Sequence, residues 1–225
     1  MNAMEQSAIL LELAVQLRNN GSWAGETHVQ KGTYLLQELL EVPAGFGFVL
    51  YKHGPFSFDL RESLNQMEAE RFIQLQEQPY PYGPRIVEGE AAARLKQSTD
   101  VTKRYGEPLS FVARQIGSAK VSELERVATA LFVSLDINVS PDRRIKRLVE
   151  LKPHIPVAEA PAAFERLDQI RMAAIGAGLQ IVPIRQKLTA RSRNTGTPNE
   201  GFIRFRSRHS QRPAERRARS GKRSG

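Results

Sequence analysis

Residues 185–225 hold 13 Lys and Arg against only Glu200 and Glu215, a net charge of +11. From residue 191 onward their only large apolar side chains are Phe202, Ile203 and Phe205. Such a segment cannot bury enough apolar area to offset about 1–2 kcal/mol per residue of backbone ordering. It is expected to be a disordered basic tail, and a fold must be built from the residues before it. The formal charge of +9 on the whole chain therefore misdescribes the folding part. Residues 1–184 hold the remaining 20 Lys and Arg and 22 Asp and Glu, a net of −2.

That length suffices for one substantial core with room for a small second subdomain. Cysteine is absent, which excludes a disulfide framework, a thiol nucleophile and Cys-based metal sites. No apolar run approaches the roughly 20 residues of a membrane span. The apolar stretch 8–17 is interrupted by Glu12 and lacks the basic flank of a secretory signal. The expected setting is the cytoplasm.

Hydrophobic periodicity predicts a mainly α chain with a small β-hairpin. A first helix is expected over residues 4–19, with Leu10, Leu13, Ala14 and Leu17 on one face and Asn19-Asn20-Gly21 as its stop. A second opens at Thr27, where Gln30 three residues on makes a capping-box pattern. Residues 46–51 favour a strand. Lys52-His53-Gly54-Pro55-Phe56-Ser57 reads as a turn into a third helix, capped by Ser57 or Asp59 and lined by Leu60, Leu64 and Met67. Residues 73–76 alternate as a half-buried strand, and 85–88 return beside them.

Helix, helix, helix, hairpin is the order of a winged helix-turn-helix, expected over residues 1–105. A helical extension follows over 106–184. There Ser122 with Glu125 is a second capping-box pattern, Ser140-Pro141 opens another helix, and residues 158–174 form the last.

Signals for chemistry are few. His28, His53, His154 and His209 show no metal-ligand spacing, and no His-Glu-x-x-His occurs. Gly45-x-Gly47 precedes a strand-like run and not a helix, so it lacks the context of a dinucleotide fingerprint. Neither a Walker-type Gly-Lys-Ser/Thr nor a nucleophile elbow is present. Glu68 with Glu70, and Glu123 with Glu125, read as solvated helix faces. No enzyme, cofactor or metal is expected.

The third helix carries Asp59, Glu62, Glu68 and Glu70 against Arg61 alone, a net of −3 over residues 57–70. Phosphates would repel it, which argues for a protein-binding scaffold over a DNA reader. Partner contacts are expected at Tyr51, His53 and Phe56, which join aromatic area to hydrogen-bonding capacity beside a tight turn. Phe56 alternatively serves as a staple holding the third helix to the core. A basic helix bearing Arg143, Arg144, Lys146 and Arg147 is either a solvated face or a docking patch for nucleic acid or an acidic partner. In the tail, Phe202 and Phe205 interleave with Arg204, Arg206 and Arg208, and Arg216 and Arg217 follow. That pattern supports an alternative reading as a nucleic-acid accessory protein.

Four segments also resemble a known family. Thr27-x-x-Gln30-Lys31-x-x-Tyr34-Leu35-Leu36 and Phe48-x-x-Tyr51-x-x-Gly54-Pro55-Phe56-Ser57-x-x-Leu60 resemble the signature of Panacea-domain proteins, the SocA-like antitoxins. Ser122-Glu123-Leu124-Glu125-x-x-Ala128-Thr129 and Glu150-Leu151-Lys152-Pro153 look like the related YwgA-like bacterial proteins. The resemblance spans residues 4–174. It implies a helical fold with a winged-helix character and, for the antitoxin branch, neutralisation of a toxin or its delivery to a protease. It does not imply catalysis.

Overall fold

A computed structural model of the chain describes residues 1–79, 83–136 and 138–183. The expected tail, with Arg204, Arg206, Arg208, Arg216 and Arg217, lies outside the described residues. What is described is mainly helical, with two antiparallel sheets of two strands each.

The first helix, α1 (Ala3–Asn19), starts behind Asn2, whose side chain accepts from the Glu5 amide while Glu5 reaches back to the Asn2 amide. The expected apolar face is buried, and Gly21 at φ +83° follows the stop. Helix α2 (Glu26–Leu39) packs on α1, with Val29, Leu36 and Leu39 fully enclosed. A side chain at Gly32 would bring a methyl within 3.0 Å of Leu13 Cδ2, so the bare backbone there lets the two helices close.

The segment after α2 is only partly a strand. Phe46 and Phe48 are buried anchors, and β1 is confined to Val49–Tyr51. It turns at once into β2 (Gly54–Phe56), with Leu50 opposite Pro55 and Tyr51 opposite Gly54. What reads in sequence as a turn is thus the second arm of a small hairpin. Ser57 caps α3 (Phe58–Ala69) as expected, its Oγ accepting from the Leu60 amide at 3.2 Å. A second hairpin, β3 (Ile73–Gln76) with β4 (Arg85–Glu88), follows and pairs Ile73 with Glu88. The half-buried alternation holds for Ile73, whereas Leu75 is exposed.

Short helices α4 (Ala92–Ser98) and α5 (Val101–Arg104) lead to α6 (Gly106–Ile116), α7 (Val121–Ser134), α8 (Arg144–Leu151) and α9 (Ala160–Gly176). Helix α6 lies against α1 and α2, and α7 is packed between α2 and α9. One hydrophobic cluster, from Ala8 to Ala174, runs through the residues on both sides of position 105.

Neither capping box read in the sequence forms. Helix α2 begins behind Gly25 and α7 behind Lys120, without a side-chain cap in either case. Gln30 and Glu125, which would have closed those boxes, point inward instead, at 1% and 6% exposure.

Candidate functional site

Hairpin β1–β2 is held from the inside by polar groups of two helices, α2 and α7, and by a lysine at the end of α8. From α2, the Gln30 amide pairs with the backbone of Ser57: Nε2 donates to the carbonyl at 2.9 Å, and Oε1 accepts from the amide at 3.0 Å. The next residue, Lys31, is buried and donates through Nζ to the Pro55 carbonyl at 2.7 Å. At the end of α8, buried Lys152 donates to the Tyr51 and Lys52 carbonyls, both at 2.6 Å. A pleated pair of three-residue strands has too few bonds of its own to be stable. Five side-chain bonds from elsewhere supply the rest.

Both lysines gather around Glu125 of α7. Its Oε1 lies 3.3 Å from Lys152 Nζ and 3.1 Å from His154 Nε2, and its Oε2 lies 3.6 Å from His53 Nδ1. Burial pulls Lys31 down to about 8, an effect opposed by Glu125 and reinforced by Lys152. Burial likewise lowers Lys152, again opposed by Glu125. Two enclosed cations thus share one enclosed carboxylate, and two half-exposed imidazoles form its outer cover.

Gly54 makes this convergence fit. Its φ is +85°, and a Cβ there would stand 3.2 Å from Thr129 Oγ1 and 3.5 Å from Lys31 Nζ. Thr129 is fixed in turn by donating to the Glu125 carbonyl at 2.7 Å.

The outer side of the same hairpin is aromatic. Tyr51 is 54% and Phe58 53% exposed, and their rings stand 5.5 Å apart. Phe56, half-buried, lies 5.7 Å from Tyr51 and 5.1 Å from Phe58, and Arg61 covers its ring at 4.6 Å. That guanidinium also binds Glu26 at 2.8 Å, which ties α3 to the start of α2. Geometry of this kind supports recognition of a protein surface: flat apolar area with a hydroxyl and an imidazole at its edge.

The expected contact residues Tyr51, His53 and Phe56 therefore sit together on one hairpin. Phe58, which completes the ring cluster, was missed because its register as the first residue of a helix gave no aromatic pattern. Arg143, Arg144, Lys146 and Arg147 lie apart from the patch, on the short turn Pro141–Arg143 and α8. Arg143 and Lys146 are exposed, Arg144 and Arg147 half-buried, and Arg147 pairs with Glu150 at 3.3 Å.

Glu125 corrects the reading of a solvated face. Its place three residues before Ala128 and four before Thr129, both buried, put it on the apolar side of α7. That spacing was the available signal. Lys152 had one too, as a lysine next to Pro153 at a helix end, but its direction depends on where the chain turns.

A cleft of about 890 Å³ opens on the far end of Arg61, between the start of α2, α3 and the turn before α7, with Trp23, His28 and Lys120 on its walls. His28 is held below the usual imidazole range by burial, and its Nε2 lies 3.0 Å from the Ala119 carbonyl. Among the described residues no group of three or more His, Cys, Asp or Glu is placed to hold a metal ion. No helix among them is long and apolar enough to cross a membrane.

Neither protein-family models nor curated proteins give a match to the chain.

Proposed function

We propose that this chain is an antitoxin-like or adaptor protein of the cytoplasm that acts by direct protein–protein binding, with Tyr51, His53 and Phe56 as its contact surface. One observation carries the reading. The four segments that resemble the Panacea and YwgA-like signatures, far apart in sequence, meet in a single buried cluster whose outward product is the aromatic hairpin. Their shared work is to hold a surface in place. A bacterial or phage conflict system is the setting that the resemblance favours.

Further support comes from the order α1, α2, hairpin β1–β2, α3, hairpin β3–β4, in which three helices precede the second hairpin as suits a winged-helix-like N-terminal part. The exposed acids of α3 make that part a poor match to a DNA groove. Lys31, the residue whose chemistry is most altered, is 2% exposed and faces a carbonyl, so a substrate has no path to it. The reading is of a binder, without catalysis.

A second reading, a nucleic-acid accessory protein, is favoured by the exposure of Arg143, just before α8, and of Lys146 on it. Affinity capture with nuclease treatment separates the two. The full chain should retain a protein after nuclease digestion. Tyr51→Ala and His53→Ala should lose it, with circular dichroism and melting temperature near wild type. Retention that vanishes on digestion, or that both variants preserve, overturns the protein-binding reading.

A further inference from the structure

The cleft beside Arg61 is where both unformed capping boxes leave their helices open. Helices α2 and α7 start on its walls, at residues 25–28 and 118–121. Thr27 and Ser122, read in the sequence as caps, lie inside the first turns. The amides of Glu26 and Thr27, and of Val121, Ser122 and Glu123, therefore have no hydrogen-bond partner among the described residues. Gly25 keeps the start of α2 bare, since a Cβ there would stand 3.3 Å from Trp23 Cδ1. His28 ties the two starts together. It lines the cleft at 6% exposure, and its Nε2 lies 3.0 Å from the Ala119 carbonyl. A carbonyl only accepts, so Nε2 carries the proton, and burial keeps the ring neutral. Nδ1 is then an acceptor. It has no partner among the described residues, yet it is not sealed from solvent.

The charges around the cleft do not cancel. Glu26 is neutralised by Arg61 at 2.8 Å, and Glu123, in the first turn of α7, faces Arg166 at 3.7 Å. Lys120 is exposed and forms no ion pair among the described residues. Two helix starts at about half a unit charge each, together with Lys120, amount to roughly +2. A phosphate monoester carries about −1.5 to −2 near neutral pH. The remaining walls are apolar, with Trp23, Leu64, Leu75 and Ile86 among them. Their volume of about 890 Å³ falls within the roughly 300–1,000 Å³ of small-molecule sites.

We infer that this cleft binds a mononucleotide, with its phosphate at the starts of α2 and α7 beside Lys120 and its base against Trp23 and Leu75. A base N–H or a ribose hydroxyl donates to His28 Nδ1. Free amides at helix starts suit phosphate oxygens, and an indole suits the face of a base. A carboxylate would bring half the charge, and inorganic phosphate would leave the apolar walls uncovered. The site lies across Arg61 from the aromatic patch, so it stands or falls separately from any protein partner.

Trp23 is the only tryptophan in the chain, and its indole donates to the Gly83 carbonyl at 3.0 Å, so its emission reports on the cleft. The probes are AMP and UMP, their nucleosides adenosine and uridine, and inorganic phosphate, each titrated into the full chain. At least one nucleotide should shift Trp23 emission saturably, at concentrations about tenfold or more below its nucleoside and below phosphate. Lys120→Glu should raise that half-saturation point about tenfold or more. Lys103→Glu, the same charge change at an exposed site on α5, should leave it unchanged. Both variants should melt near wild type. The comparison of nucleotide with nucleoside needs no variant, so it decides alone if Lys120→Glu melts early. Emission that neither nucleotide moves, an equal response to nucleotide and nucleoside, or equal effects of the two substitutions overturns the inference. Nucleotide retained in dialysis without a change at Trp23 assigns it to another basic surface and overturns it as well.

Discussion

Lys31 shows how a single residue links the interior to the surface. Its ammonium is enclosed, donates to Pro55, and has its proton affinity lowered to about 8 by burial. In the unfolded chain it keeps an ordinary lysine value near 10.5. Between those values the unfolded state binds a proton that the native state does not, so this residue makes stability rise with pH from about 8 upward. Denaturant midpoints of wild type and Lys31→Met, compared from pH 7 to 9.5, should show the wild type gaining on the variant as pH rises. Parallel profiles would mean that Lys31 is ionised throughout or has access to water. Sequence disclosed the residue but not its state. Gln30 and Lys31 adjoin Val29 in an otherwise periodic helix, and the capping-box pattern gave a simpler use for Gln30. What overruled that use was Ser57, a partner 27 residues away that exists only once the hairpin folds back.

At the scale of elements, helices and hairpins were legible to different degrees. Leu10, Leu13 and Leu17, or Leu60, Leu64 and Met67, repeat at helical spacing and are buried where that spacing puts them. Hairpin β1–β2 has no comparable local signal. Its turn, Lys52-His53, is not one of the Asn-Gly or Asp-Gly pairs that announce a tight hairpin, and its second strand contains a proline. It forms because Lys31, Lys152 and Gln30 satisfy backbone groups that strands so short leave open. Lys152→Met should therefore be costly. It removes two bonds to the hairpin and the buried lysine paired with Glu125 at 3.3 Å, a change in the range of roughly 3–5 kcal/mol for a broken buried pair. Lys146→Met, on the exposed side of the same helix, should stay within about 0.5 kcal/mol. Equal midpoints for the two variants in denaturant unfolding would show that the cluster contributes nothing to holding the fold.

Across the whole molecule, charge and apolar surface are divided between parts. A nearly neutral body encloses one core, and the strongly basic segment follows it in sequence. Within the body, polar residues from α2, α7 and the end of α8 meet on the inner side of a hairpin whose outer side is aromatic. The central claim is that this hairpin is where the protein meets its partner. Hydrogen exchange of the full chain, with and without the protein retained in nuclease-treated capture, tests it most directly. The account predicts slowed exchange on binding over residues 49–62, with α8 unchanged. Slowed exchange over residues 143–152, with the hairpin unchanged, would contradict it.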